Sequence, residues 1–418
     1  MTDTSNRADE VDGEARAERL RHDLVTTLQD NGWVSDARVA DALAAVPRHA
    51  FVPQATLGSA YAHATVSVKD DADGASLSCA SVPAIVAMML QQADLTPGQR
   101  VLEIGAGTGY NAALLARLTA PSGRVTTVDV DPDLVEKARA HLQNTGYGES
   151  VEAVCSDGAD GHPAGAPFDR IMATVGAFDI PPAWLNQLAP DGRIVVPVRL
   201  AGDASRAIAF VRADDHWQGM DVQMCTFLPL RDSSASDPRR TLAVTADEGV
   251  VLQVSRDQTI ESGAVHGVLD EQRSEVWTGV VFGGNESFGD LWLWLALALE
   301  NSLSRMPVTR DAAEAGGVEP MLPWGSMATT ARTGERGLAY LTLRPCGERH
   351  EVGVIAHGAA GPALAEAMAR EITEWSEHYR NGEVGVDLYS RPLAPPQPSP
   401  GRFVLARPTA HLAVTWRH

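Results

Sequence analysis

The feature that most constrains this chain is a short apolar segment followed at once by three closely spaced glycines. Residues 101–104 read Val-Leu-Glu-Ile, which is typical of a buried parallel strand, and residues 105–109 read Gly-Ala-Gly-Thr-Gly. The apolar residues within 111–118 then predict a helix. Because glycine has no Cβ, such a turn brings backbone N–H groups and a helix N-terminus close to a ligand. The spacing therefore predicts an α/β fold with a ligand at this turn.

Two acidic residues follow at places that suit a nucleotide-like ligand. The next predicted strand, 124–129, ends in Asp129, which lies 24 residues after Gly105. In dinucleotide-binding folds an acid about 20 residues beyond the glycines accepts hydrogen bonds from the ribose hydroxyls. A third predicted strand, 151–155, is followed by Asp157, which is placed to meet an adenine amino group. A glycine turn alone also fits an ordinary α/β domain, but two acids in register favour the ligand-binding interpretation. Two more strands are predicted at 168–174 and 191–197.

The glycine pattern is Gly-x-Gly-x-Gly, not the Gly-x-Gly-x-x-Gly of dinucleotide-binding proteins, and Glu103 precedes it. In this form it resembles motif I of the methyltransferases that use S-adenosylmethionine. The resemblance implies a Rossmann-like, doubly wound sheet and S-adenosylmethionine as the cofactor. The cofactor-binding residues that it implies are Glu103, Gly105, Ala106, Gly107, Thr108, Gly109, Asp129, Val130, Asp157 and Gly158.

Further motifs narrow the resemblance to one family. Residues 46–53 read Val-Pro-Arg-His-Ala-Phe-Val-Pro, residues 60–61 read Ala-Tyr, and residues 227–231 read Phe-Leu-Pro-Leu-Arg. Residues 180–197 contain a Pro-x-x-Leu-x-x-Gln-Leu-like helix and an Asp-Gly-Arg strand start, where the family typically has Gly-Gly-Arg. Over about residues 20–235 the chain thus resembles the protein-L-isoaspartate O-methyltransferases.

The segment 73–83 departs from that family. The family carries Gly-His-Gly-Gln-Thr-Ile-Ser-x-Pro here, whereas this chain keeps only Ser81 and Pro83 and has Cys79 and Ala80 in place of Thr and Ile. Ser81 is the predicted catalytic residue, since its hydroxyl can hold the accepting carboxylate in line with the methyl group. The alternative is that Ser81 only caps the helix that begins near Pro83. The predicted substrate-binding residues are Ser78, Cys79, Ser81, Val82, Thr174 and Val175.

Carboxyl methylation requires little acid–base chemistry. A carboxylate is already the nucleophile at neutral pH, because the pKa of free Asp is about 3.9. The protein therefore needs to orient and desolvate its substrate, and no His/Asp or metal constellation is expected. A nucleic-acid N-methyltransferase would be expected to carry Asn/Asp-Pro-Pro-Tyr after the fourth strand. Residues 173–178 read Ala-Thr-Val-Gly-Ala-Phe instead.

The composition argues against several other classes of protein. A formal net charge of -20 opposes nonspecific binding to nucleic acid or to anionic lipid, so neither is expected as a partner. No apolar run is long enough to span a membrane. The four cysteines have no paired spacing, so no metal site or disulfide framework is predicted and a cytoplasmic location is expected.

A chain of 418 residues is long for one domain. We expect a mobile arm over 1–20, a methyltransferase domain over 21–235 and a polar linker over 231–240. Alternating apolar stretches over 241–418 predict an accessory α+β domain, and the segment 288–300, apolar on nearly all sides, predicts a buried helix.

Three functions stay open on this basis. The altered segment before Ser81 and the added domain resemble the branch of the family that modifies Asp in ribosomal peptides of the lanthipeptide and graspetide type. That resemblance implies a macrocyclised peptide as the partner and an aspartimide or isoaspartate as the product. The first alternative is repair of L-isoaspartyl residues in damaged proteins. The second is a noncatalytic S-adenosylmethionine-binding scaffold, which the presence of the substrate-side motifs disfavours.

Overall fold

The computed structural model describes residues 3–72, 74, 76–231, 239–332 and 334–417. Residues 1 and 2 of the expected arm, residues 73 and 75 before Ser81, residues 232–238 of the expected linker and residue 418 lie outside them. The helices within the described residues are α1 Asp3–Asp30, α2 Ala37–Ala45, α3 Leu57–Tyr61, α4 Pro83–Ala93, α5 Tyr110–Thr119, α6 Pro132–Asn144, α7 Pro182–Asn186, α8 Ser262–Val265, α9 Gly289–Ala298, α10 Arg310–Glu314 and α11 Gly361–His378.

The strands within the same residues form three sheets. They are β1 Val66–Asp70, β2 Ser76–Ala80, β3 Arg100–Ile104, β4 Arg124–Asp129, β5 Val151–Cys155, β6 Phe168–Ala173, β7 Leu188–Ala201, β8 Ala204–Arg212, β9 Trp217–Met224, β10 Arg240–Ala243, β11 Val251–Val254, β12 Arg273–Phe282, β13 Ser304–Pro307, β14 Gly325–Thr330, β15 Leu338–Cys346, β16 Arg349–His357, β17 Glu383–Ser390, β18 Arg402–Ala406 and β19 Ala410–Arg417.

The first large sheet carries the predicted parallel core. Its order is β18-β19-β17-β9-β8-β7-β6-β3-β4-β5, and β7, β6, β3, β4 and β5 run parallel to one another. Because β4 and β6 lie on opposite sides of β3, the sheet is doubly wound. The predicted Rossmann-like class is confirmed. The strands predicted at 124–129 and 151–155 have the predicted bounds, whereas β7 is longer than predicted.

Helix α1 is much longer than the apolar pattern indicates. It begins at Asp3, so the expected arm over 1–20 is helical from Asp3 onward, and its mobility stays a prediction. Its apolar residues Leu24, Val25 and Leu28 are buried where α1 packs against α2 and α3. The first turns lack a comparable apolar stripe, so periodicity alone does not indicate a helix there.

Two hydrophobic cores sandwich the first sheet. On one face, Leu28, Leu43, Leu90 and Leu114 from α1, α2, α4 and α5 share a core with Val195 of β7. On the other face, α9 and α11 lie between the first sheet and a second sheet, and one continuous core joins all three layers. The buried helix predicted at 288–300 is α9.

The second sheet is antiparallel, in the order β10-β11-β13-β14-β15-β16-β12, and gives the C-terminal part the predicted α+β character. The last three strands, however, return to the first sheet. Strand β17 pairs with β9 through Leu388 and Trp217, and β19 and β18 extend the same sheet. The limits of the predicted domains stay a prediction, since residues 383–417 share a sheet with residues 100–224.

Candidate active site

A cavity of about 800 Å³ opens at the carboxyl ends of β3, β4 and β6. In doubly wound sheets this is where ligands bind, at the point where the strand order reverses. The hairpin of β1 and β2 forms one wall, and residues 226–231 form another. The volume lies within the range of about 300–1,000 Å³ usual for ligand sites.

The glycine turn lies against the cavity in a backbone conformation that favours glycine. Gly105 has φ 102° and Gly107 has φ 49°. A Cβ on Gly105 would lie 2.7 Å from Oγ1 of Thr174, so no larger residue fits there. Of the predicted cofactor residues Gly109, with φ 84°, does not line the cavity: it is the N-cap residue of α5 and packs near Leu142.

Asp129 lies at the end of β4 and lines the cavity, as predicted for the ribose-binding acid. One carboxylate oxygen accepts a hydrogen bond from the amide of Gly107 at 3.0 Å, and the other accepts from the amide of Asp131 at 3.2 Å. These two bonds fix the carboxylate beside the glycine turn. Carboxylate oxygens accept more than one hydrogen bond, so capacity for ligand hydroxyls remains.

Glu103 lines the same end of the cavity but is fully buried. Its Oε1 accepts from Nδ2 of Asn111 at 2.8 Å, and its Oε2 accepts from Oγ1 of Thr127 at 2.6 Å. Burial raises the pKa of Glu103 to about 7, against the two hydrogen bonds, which lower it. Its charge therefore changes near neutral pH.

Asp157 lies outside the cavity wall. Its carboxylate caps the short 3₁₀ turn 158–160 by accepting from the amide of Ala159 at 2.8 Å. The neighbouring Gly158 does line the cavity, as do Ala106, Thr108 and Val130. The predicted contact between Asp157 and an adenine amino group stays a prediction.

Ser81 lies in the cavity wall between β2 and α4, together with Ser78, Cys79 and Val82. The N-cap residue of α4 is Val82, and no side chain caps this helix. The alternative role predicted for Ser81, that of the helix cap, is therefore wrong. Burial raises the pKa of the Cys79 thiol, which keeps it protonated. The remaining predicted substrate residues, Thr174 and Val175, also line the cavity.

Arg48 is a site residue to which the sequence pattern assigned no chemistry. It is 1% exposed, and its guanidinium donates to the carbonyl oxygens of Ala60 at 2.9 Å and Ser81 at 2.8 Å. Burial lowers its pKa, and its Cζ lies 5.1 Å from the ring centroid of Tyr110. Arg48 thus holds the backbone of Ser81 in place. A single arginine inside an apolar motif is the signal that points to it.

Two cations converge on the turn after Asp129. Arg231 donates to Asp131 at 2.6 Å, and Lys69 of β1 donates to Asp131 at 2.8 Å and to Asp133 at 2.7 Å. Although partial burial opposes it, these hydrogen bonds lower the pKa of Asp131. The hairpin and the segment 226–231 are thereby tied to the same end of the cavity.

The second sheet also reaches the cavity. Gln253 of β11 and Arg239 before β10 line it, although they lie beyond the residues that carry the family motifs. Arg239 pairs with Asp203 at 3.1 Å. No local pattern signals this arrangement, because it depends on how the second sheet packs.

The site fits the cofactor that the motif implies. Glycines 105 and 107 leave room beside the turn, and Asp129 offers acceptors at the wall. Among the described residues, no group of three or more His, Cys, Asp and Glu side chains is arranged to hold a metal ion. In the same part of the chain no helix is long and apolar enough to cross a membrane.

Comparisons with known proteins agree with this geometry. The family model for Protein-L-isoaspartate(D-aspartate) O-methyltransferase (PCMT) matches residues 18–235, just over half of the chain. A protein-L-isoaspartate O-methyltransferase of Methanopyrus kandleri is 43% identical over 180 residues, which are 43% of this chain and 77% of that protein. One of Methylorubrum extorquens is 38% identical over 224 residues, which are 53% of this chain and 93% of that protein.

Two solved structures are similar at a lower level. The alignment with one protein-L-isoaspartate O-methyltransferase covers 88% of this chain and 96% of that protein, with 22% identity and a TM-score of 0.48. One from Plasmodium falciparum, in complex with S-adenosyl-L-homocysteine, covers 51% and 99%, with 17% identity and a TM-score of 0.45. The family match and the close relatives decide the identity: this chain belongs to the protein-L-isoaspartate O-methyltransferase family and is a carboxyl methyltransferase that depends on S-adenosylmethionine.

Proposed function

We propose that this enzyme methylates the side-chain carboxylate of an aspartate in a macrocyclised ribosomal peptide, so that the ester closes to an aspartimide or ends as isoaspartate. One observation carries the proposal. Arg239 and Gln253, which follow the residues matched by the family, also line the cavity. A bulky, constrained substrate needs such an additional contact surface, whereas a short flexible peptide does not.

The residues of the cavity suit this reaction without a general base. S-Adenosylmethionine, when bound, supplies an electrophilic methyl group on a sulfonium. The substrate carboxylate is ionised at neutral pH, so the protein has only to orient it and exclude water. The hydroxyl of Ser81 does not cap helix α4. It is placed to donate a hydrogen bond to one carboxylate oxygen of the substrate. Arg48 holds the backbone of Ser81 during this step.

Ring closure follows from the chemistry of the ester. The backbone nitrogen of the next residue attacks the ester carbonyl carbon, the new C–N bond forms, and methanol leaves with the amide proton. The aspartimide therefore weighs one water less than the original aspartyl peptide. Hydrolysis of the ring adds that water back and gives aspartate or isoaspartate.

Repair of isoaspartyl residues is the second candidate. The names of the relatives at 38–43% identity support it. The family model spans residues 18–235, a range that includes the glycine turn, Asp129 and Ser81. A repair enzyme would accept a linear isoaspartyl peptide readily.

Methyl transfer from labelled S-adenosylmethionine to two acceptors tests the proposal. One acceptor is a linear isoaspartyl peptide, and the other is the cyclised precursor peptide from the same gene neighbourhood. We expect the mass of one water to be lost, or aspartate to become isoaspartate, only on the cyclised peptide. Rapid methylation of the linear peptide with no turnover of the cyclised one would instead support repair.

A further inference from the structure

An arginine and two tryptophans form a cluster beside the cavity that the reaction itself does not use. Arg305 of β13 lies over Trp324, with 4.5 Å between its Cζ and the ring centroid. The edge of Trp292 from α9 faces the same ring at 6.4 Å between centroids. Trp324 is 36% exposed, which is high for so large an apolar side chain. We name Arg305, Trp324 and Trp292 the arginine–tryptophan cluster.

The cluster presents hydrogen-bond donors without acceptors. Nε of Arg305 and Nε1 of Trp292 are buried atoms, and neither finds a partner among the described residues. A buried donor without an acceptor destabilises the folded protein. Arg305 also has no acidic partner within the same part of the chain, although the protein carries a net charge of -20. The cluster is therefore complementary to a ligand that brings negative charge and acceptor oxygens.

The cluster is next to the cavity. Arg305 of β13 pairs in register with Gln253 of β11, and Gln253 lines the cavity. Side chains of residues paired in this way lie on the same face of a sheet, with Cβ atoms about 5 Å apart. The strand that carries Arg305 is thus the direct neighbour of a strand that lines the active site. A peptide held in the cavity has this surface within reach of its next few residues.

We propose that the arginine–tryptophan cluster is a docking subsite for an acidic side chain of the peptide substrate, a few residues from the aspartate that is methylated. The guanidinium of Arg305 pairs with the carboxylate, and the exposed ring of Trp324 packs against the peptide. The inference rests on the proposed function only in that the substrate is a peptide bound in the cavity.

The test uses the full-length enzyme and each acceptor peptide in two forms, one with acidic residues flanking the methylated position and one with the corresponding amides. In the Arg305→Ala variant we expect KM for the acidic form to rise about tenfold, because a charge-assisted hydrogen bond is lost. We expect kcat, the KM for the amide form and the Kd for S-adenosylmethionine to stay unchanged. Arg310→Ala, which removes an exposed arginine of α10, is the matched control.

Two further measurements separate the outcomes. Arg305→Glu should reverse the preference, so that peptides with flanking lysines bind better than acidic ones. If Arg305→Ala changes the KM of both forms equally, or of neither, the subsite is not in the cluster. The acidic and amide forms are compared for both the cyclised and the linear isoaspartyl peptides. The test of the subsite therefore remains decisive even if the cyclised peptide is not a substrate.

Discussion

Single residues of the site combine burial with charge in unusual ways. Glu103 is enclosed completely, and both of its oxygens accept hydrogen bonds, yet burial still raises its pKa to about 7. Arg48 is also buried, but it remains useful as a donor to two backbone carbonyls. The site therefore depends on side chains that are costly to bury, and their removal has measurable consequences.

Glu103→Gln should change how stability depends on pH. The pKa of Glu103 rises from its ordinary value of 4.5 to about 7 in the folded protein. Between these values the folded state binds more protons than the unfolded state, so the free energy of unfolding falls as the pH rises. This pH-dependent fall in the free energy of unfolding amounts to at most about 3 kcal/mol, and it is absent from the variant. Urea unfolding at several pH values between 4.5 and 8 measures it.

A control variant and a contrary outcome complete this test of Glu103. Glu152→Gln removes an exposed carboxylate from β5 and should keep the wild-type slope. Parallel curves for the wild type and Glu103→Gln would show that Glu103 is ionised in the folded protein throughout this range.

Ser81→Ala should slow methyl transfer without weakening cofactor binding. The hydroxyl that orients the carboxylate is lost, so we expect kcat/KM to fall by about ten- to a hundredfold. The Kd for S-adenosylmethionine, measured by calorimetry, should not change. Ser122→Ala on the exposed turn before β4 is the control. Wild-type kcat/KM in Ser81→Ala would rule out this role.

Among the elements, the β1–β2 hairpin depends most on contacts outside itself. It is a sheet of only two strands, and such hairpins are marginally stable alone. Lys69 ties it to Asp131 and Asp133 beside the cofactor turn. The wall that contains Ser78 and Cys79 thus keeps its place through ion pairs near Asp129.

Lys69→Ala should loosen the hairpin. Exposed and half-exposed ion pairs contribute little individually, so we expect amide hydrogen exchange over 66–80 to become about two- to fivefold faster. Lys137→Ala is the matched control. Lys137 lies in α6 and pairs with the same Asp133, with 3.8 Å between the nitrogen and the carboxylate oxygen, but it does not contact the hairpin through this pair. Equal exchange rates in the two variants would mean that the ion pairs of Lys69 do not hold the hairpin.

Some elements were predictable from local sequence, and others were not. Strands β3 to β6 are short apolar runs between glycine and acidic residues, so their positions follow from the pattern. The pairing of β17 with β9 joins segments far apart in the chain, and nothing in the residues of either strand specifies its partner. The same reason explains why the sequence pointed to Asp129 and Ser81 but not to Gln253.

At the scale of the whole molecule, the two sheets share one hydrophobic core with α9 and α11 between them. Deleting residues 241–418 would remove three strands of the first sheet together with the second sheet. A truncated protein is therefore no test of substrate recognition, since it would expose β9 and half of a core. Point variants are needed to separate recognition from folding.

Gly219→Ala should destabilise the junction of the two chain segments. A Cβ at this position in β9 would lie 2.2 Å from the carbonyl oxygen of Val386 in β17 and 3.1 Å from Ile208. Relief of that clash requires backbone movement, and we expect a loss of about 1–3 kcal/mol and a lower Tm. Gly263→Ala is the control, because nothing lies within 4 Å of the added Cβ. Equal Tm values would mean that β17 and β9 separate easily.

The return of the last strands to the first sheet also affects the order of events during synthesis. Strand β9 leaves the ribosome about 160 residues before β17, its partner. At about 5–20 residues per second, its edge waits roughly ten to thirty seconds, with Met220 and Met224 on the same strand. An unpaired edge can pair with another chain, so the nascent protein has a window in which a chaperone is most useful. The catalytic sheet is complete only after Arg417, the last residue of β19, has been added.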